Sequence, residues 1–266
     1  MGVALGQEAH SLKRQDQQDV PVTAYKPLTA KCQGVAIISP GAGGSEQGYR
    51  YLGEALSVWG YWAVVVGHQD SGRNALREQV RSHGLRQGLA QLIAEPQAYN
   101  SRLMDIAAAQ QWAQSQCAGG LSVLIGHSMG AATTMIEAGA RNKLGVQGSH
   151  GFAAYIALSP QGVGTVFAPD AWSGIAQPVL SITGTRDQEL GGASWRTRTE
   201  PYHNMPAGCK WLGVIDGATH MNFAGHGASA QTQALTTRII NAFLDGIERG
   251  DCKLAQPIQG MALDTK

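Results

Sequence analysis

The sequence predicts a single α/β domain with a mostly parallel central sheet and helices on both faces. Three observations carry that prediction. The chain has 266 residues, enough for one large domain with a full core. Six apolar runs of strand length recur along it, and stretches of helical periodicity separate them. Strands that are apolar on both sides, alternating with helices, belong to a parallel sheet covered on both faces.

In chain order, residues 1–19 read as an N-terminal extension and "VPVTAY" (20–25) as a leading antiparallel edge strand. The buried strands are "GVAIIS" (34–39), "YWAVVVG" (61–67), "LSVLIG" (121–126), "FAAYIALS" (152–159), "PVLSIT" (178–183) and "WLGVID" (211–216). Helices are expected over roughly 46–59, 75–93, 98–116, 129–140, 188–204 and 228–248. In "LMDIAAAQQWA" (103–113), for example, apolar residues repeat at helical spacing. The domain ends near residue 250, and 251–266 reads as a tail that lies on the surface or is partly disordered.

Composition narrows the function classes. A net charge of +1 gives no electrostatic reason to expect nucleic acid or an anionic membrane as partner. No apolar run reaches the roughly 18 residues of a membrane span. The cysteines, Cys32, Cys117, Cys209 and Cys252, form neither a CxxC pair nor a Cys/His cluster, so no metal site is expected. The first twenty residues lack the apolar core of a secretory signal. Taken literally that means a cytoplasmic protein, but a mature exported chain restarted at Met-Gly would look the same.

In an open parallel sheet, chemistry gathers at the carboxyl ends of the strands. "GHSMG" (126–130) sits there, with Gly126 closing a strand and Ala131 and Ala132 opening a helix. Ser128 therefore occupies a sharp strand-to-helix turn that needs small neighbours and pushes its hydroxyl outward. A serine needs a base. His220 follows the strand "WLGVID" by a few loop residues; His68 also follows a strand and is its rival, while His127, next to Ser128, points away. The base needs a carboxylate to hold its tautomer. Asp187 stands just past "PVLSIT", with Glu189 as the nearest competitor and Asp216 a stabiliser of its own loop. "SPGAGGS" (39–45) follows the first buried strand, where the amides of Ala42 and Met129 would stabilise an oxyanion; Gly43 is the alternative to Ala42.

Taken together, "IISPGAGGSEQGYRYLGEALSVWGYWAVVVGH", "GHSMGAATT", "PVLSITGTRD" and "DGATHMNFAG" resemble the dienelactone-hydrolase-like branch of the α/β hydrolases over roughly residues 20–248. That branch is similar to the bacterial cutinases and polyester hydrolases and to the platelet-activating-factor acetylhydrolases. The resemblance implies the α/β-hydrolase fold and cofactor-free hydrolysis of carboxylic esters on Ser128, His220 and Asp187. It also carries departures. Polyester hydrolases place an aromatic residue where this chain has Ala42, and a tryptophan where it has Gln161. A dienelactone hydrolase proper uses a cysteine nucleophile, where this chain has Ser128. Small soluble esters are therefore the expected substrates, ahead of polyesters, thioesters or amides, or a non-catalytic binding role.

Gln161, His68 and Trp195 are the expected substrate-contacting side chains, with Phe167, Trp172 and Arg196 as further candidates. Residues 69–97 are longer than a simple crossover needs and read either as a partial lid carrying Arg73, Arg77 and Arg81 or as a solvated amphipathic helix. In this fold Cys32 and Cys117 precede neighbouring strands, and Cys209 precedes the strand beside which Cys252 ends a helix. The pairs 32–117 and 209–252 are thus spatially plausible, with four free thiols the alternative. If formed, they imply an oxidising compartment, so a secreted or periplasmic protein whose signal peptide is absent from this sequence.

Overall fold

The computed structural model describes residues 6–189, 191–253 and 257–266. Its centre is a nine-stranded sheet in the order β1-β2-β4-β3-β5-β6-β7-β8-β9. The strands are β1 Gln7–Lys13, β2 Asp19–Tyr25, β3 Gly34–Ser39, β4 Tyr61–Val66, β5 Leu121–His127, β6 Ala154–Leu158, β7 Val179–Arg186, β8 Lys210–Thr219 and β9 Met261–Thr265. From β4 through β8 the pairings are parallel; β1, β2 and β9 pair antiparallel.

The helices are α1 Arg50–Val58, α2 Arg73–His83, α3 Leu85–Ala94, α4 Pro96–Gln116, α5 Met129–Glu137, α6 Glu200–Asn204, α7 His220–Phe223 and α8 Ala230–Glu248. Pleat alternation divides the core. On β3, Val35 and Ile37 join an apolar layer with Ile106 and Ala109 of α4 and Met135 of α5. Ala36 and Ile38 face the other way, into a layer with Leu52 and Leu56 of α1 and Ile239 and Phe243 of α8. Long α4 begins cleanly because Pro96 needs no amide partner in the first turn and the Glu95 carboxylate accepts from the Gln97 amide at 3.2 Å.

Four expectations change. Residues 7–13 are not an extension but a polar strand outside β2, so β2 is not the edge. The C-terminal residues 261–265 pair with β8 instead of lying as a tail. Both strands are solvent-facing and held by main-chain bonds, so neither carries an apolar run. The helix expected over 75–93 is two, because Gly84 at φ 77° breaks it into α2 and α3. Among the described residues of 188–204, a 3₁₀ turn, Trp195–Thr199, and α6 form in place of one helix; Gly192 at φ 84° precedes them.

Cys32–Cys117 and Cys209–Cys252 are disulfides with Cα separations of 5.9 and 5.4 Å. Both pairs lie at the amino-terminal edge of the sheet. Among the described residues, no helix is long and apolar enough to cross a membrane.

Candidate active site

Ser128, Asp187 and His220 come from the ends of β5, β7 and β8, and the loop 40–45 follows β3, so all four meet at the carboxyl edge of the sheet. Ser128 has φ 56° and ψ −117°, a strained backbone for a non-glycine residue. Its neighbours permit this. A Cβ on Gly126 would overlap the Gly130 carbonyl, and one on Gly130 would overlap the Ser39 carbonyl, so only glycines let β5, α5 and the β3 loop approach so closely.

The Ser128 hydroxyl lies 2.9 Å from His220 Nε2, and His220 Nδ1 lies 3.0 Å from Asp187 Oδ1. His220 is the first residue of α7, held by a reciprocal cap in which the Thr219 amide donates to Asn222 Oδ1 at 2.9 Å. Asp187 is fully buried. Its Oδ2 accepts from Ser159 Oγ at 2.5 Å and from Thr183 Oγ1 at 2.9 Å, and Arg198 Nε lies 2.8 Å from Oδ1. Burial pushes this carboxyl up. The bond from His220, the Arg198 charge and the Ser159 hydroxyl outweigh it and hold the group below its ordinary value.

Arg198 is buried and donates to the carbonyls of Asp187, Ser159, Pro160 and Gln188, with Nη2 3.3 Å from His220 Nδ1. Nothing in the local sequence marks this residue. It follows the acid by eleven positions and reaches it only because the 3₁₀ turn folds back.

Among the described residues, the amides of Ala42 and Met129 donate to no protein acceptor, whereas the Gly43 amide is committed to the Ser71 carbonyl at 2.8 Å. Met129 follows Ser128 at the start of α5, and Ala42 lies in the loop after β3 and lines the same cleft as Ser128, so a developing oxyanion there could draw on two free donors. Behind them, the Gly41 amide donates to the Tyr49 hydroxyl at 3.2 Å, and Tyr49 donates to His127 Nδ1 at 2.7 Å. His127 Nε2 then donates to the His220 carbonyl at 3.1 Å. Burial keeps His127 neutral, and its ring ties the glycine loop to the His220 loop. Its ring lies 4.8 Å from that of His220, and both of its nitrogens bond to groups other than Ser128.

The cleft in front of Ser128 has a volume of about 980 Å³. Ala42 and Gln161 line it, and α2 and α3 form one wall through Arg73, Arg86, Leu89 and Ile93. His68 does not line it. Although it follows β4, its ring turns inward, 2.9 Å from Ser39 Oγ and 2.9 Å from Asp105 Oδ2, and is 3% exposed. Trp195 does not line it either. With Arg196 it borders a separate cavity of about 460 Å³ whose far wall is β9, the strand that had no sequence signal. Phe167 and Trp172 are core residues, their rings 5.2 Å apart and tilted by 45°. Of the rivals to Asp187, Glu189 accepts from the Gly162 amide, and Asp216, on β8, accepts from Thr185 Oγ1 of the neighbouring strand β7.

No family model matches the chain, and no curated protein matches it in sequence. Solved structures do match. A dienelactone hydrolase from Anabaena variabilis superposes with a TM-score of 0.61 at 18% identity, over 89% of this chain and 97% of that one. An alpha-beta serine hydrolase homologue from Coxiella burnetii gives 0.63 at 16%, over 90% and 100%. A cold-adapted esterase from an Arctic intertidal metagenomic library gives 0.63 at 15%, over 91% and 95%. The chain has the α/β-hydrolase fold, in the form shared with dienelactone hydrolase-like structures.

Proposed function

We propose that this α/β-hydrolase-fold protein is a serine esterase that hydrolyses small soluble carboxylic esters through an acyl-enzyme. The observation that carries the reading is the continuous hydrogen-bonded line from Ser128 Oγ through His220 to Asp187, at 2.9 and 3.0 Å, opening onto a cleft beside two free amides. In this scheme Ser128 attacks the ester carbonyl as His220 Nε2 takes its proton, and Asp187 holds the Nδ1–H tautomer and stabilises the imidazolium. The amides of Ala42 and Met129 receive the oxyanion, each worth about a hundred- to a thousandfold in rate. His220 then protonates the leaving alcohol, and water activated by the same base releases the acid.

Ala42 and Gln161 at the cleft leave no aromatic pair to clamp a polymer chain, which favours soluble esters over polyesters. The two disulfides support an oxidising compartment, hence a secreted or periplasmic enzyme.

The test is turnover of p-nitrophenyl esters from acetate to laurate, beside Ser128→Ala. Activity that declines with chain length and disappears in the variant supports the reading. Clearing of a polyester suspension, or faster turnover of matched thioesters or amides, would redirect the substrate assignment. Equal turnover by Ser128→Ala would remove the nucleophile altogether.

A further inference from the structure

We propose that Arg102 is a positioning residue whose single guanidinium fixes the spacing between the Ala42 and Met129 amides. The inference rests on reading Ser128 as the nucleophile and these amides as its oxyanion donors. Arg102 projects from α4 and is fully buried, on the layer beneath the cleft.

Its contacts run in two directions. Toward the β3 loop, Nη2 donates to the Pro40 carbonyl and to Ser39 Oγ, the latter at 3.0 Å, while Nη1 donates to Ser71 Oγ at 2.6 Å. The Ser71 carbonyl in turn accepts the Gly43 amide at 2.8 Å. The Ala42 amide belongs to the peptide joining residues 41 and 42. The peptides on either side of it are therefore pinned, one by Arg102 directly and one through Ser71. Toward α5, Nε donates to Thr133 Oγ1 at 3.1 Å, and that hydroxyl donates to the Met129 carbonyl at 2.9 Å. One flat fork thus grips both halves of the donor pair.

A second chain of bonds holds the fork. Ser39, which accepts from Arg102, donates to His68 Nε2; His68 Nδ1–H donates to Asp105 Oδ2; and Asp105 Oδ1 accepts from Arg14 at 3.2 Å. The links run in one direction when His68 is neutral and Asp105 ionised; burial foremost and the Arg102 charge favour the neutral ring. Ser39, His68 and Asp105 repeat the residue types of the cleft, but with Ser39 at 0% and His68 at 3% exposure the group is shut away from substrate. It holds position and does not react. Lysine, a point charge on a flexible stem, cannot reach all these acceptors at once.

The experiment measures kcat per active site, with sites counted by the p-nitrophenol burst, and affinity for a boronic acid that forms a tetrahedral adduct on Ser128. The variants are Arg102→Lys and Arg102→Met, with Thr133→Val and Ser71→Ala cutting one branch each. We expect Arg102→Lys to lower kcat per site about 10- to 100-fold with KM within about twofold, and to weaken the boronate in proportion. The branch variants should lose about 3- to 10-fold each. A purely structural role would lower Tm and the number of titrated sites while leaving kcat per site and boronate affinity unchanged; that result in Arg102→Lys overturns the proposal. If neither Arg102 variant folds, unchanged kcat per site in both branch variants overturns it equally. Ser128→Ala separates the two readings. Full turnover there removes the nucleophile, whereas loss of turnover there with unaffected Arg102 and branch variants removes only this inference.

Discussion

Asp187 receives hydrogen bonds from His220, Ser159 and Thr183 and pairs with Arg198, all while fully buried. A carboxylate held below its ordinary value of 3.8 contributes stability above that pH and loses it as pH falls through the lowered folded value. Asp187→Asn should therefore cost about 3 kcal/mol in urea unfolding at pH 7, with a gap that narrows in acid below about pH 3.8. A gap that stayed constant with pH would mean the charge is not its source. The same variant should lower kcat by about four orders of magnitude, since the imidazole loses the partner that sets its tautomer. At this scale the sequence was most legible where a residue's place follows from the strand before it, as for Ser128, Asp187 and His220. Arg102 was illegible as a functional residue, yet it carried a signal: with Asp105 it puts charge on the helical face that also holds Ile106 and Ala109. A charge on an apolar face needs a buried partner. Tyr49 and Arg198 had no such mark, because their partners are assembled from distant loops.

Among the elements, buried strands were read within three residues, since their apolar runs record burial on both faces; β7 and β8 run three residues further, into less apolar sequence. The polar strands β1 and β9 were missed because main-chain pairing leaves no hydrophobic trace. Helix α2 buries no residue, and the turn joining it to α3 depends on Gly84 at φ 77° and ψ 165°, a region open essentially to glycine. Gly84→Ala should cost about 1–3 kcal/mol locally. The expected readout is faster proteolytic nicking between α2 and α3 while global Tm moves little. Cleavage at the wild-type rate would show that the hairpin does not need this backbone.

For the molecule as a whole, the disulfides close segments of 85 and 43 residues that do not overlap. Loop-entropy reasoning assigns them about 4.6 and about 4 kcal/mol respectively. Paired Cys→Ser variants, or reduction in thiol, should lower Tm in that order and additively. An unchanged Tm after verified reduction would mean that the bridges do not stabilise the fold.

Both bridges lie at the amino-terminal edge of the sheet, while every loop around Ser128 leaves the opposite edge. The fold is therefore like a fan riveted at the handle. Its ribs are locked where nothing reacts, so the open rim can be recut without loosening the frame. Such a scaffold lends itself to inheriting new loops, and transplanting the wall made by α2 and α3 from another member of the fold is the change this architecture should absorb most readily.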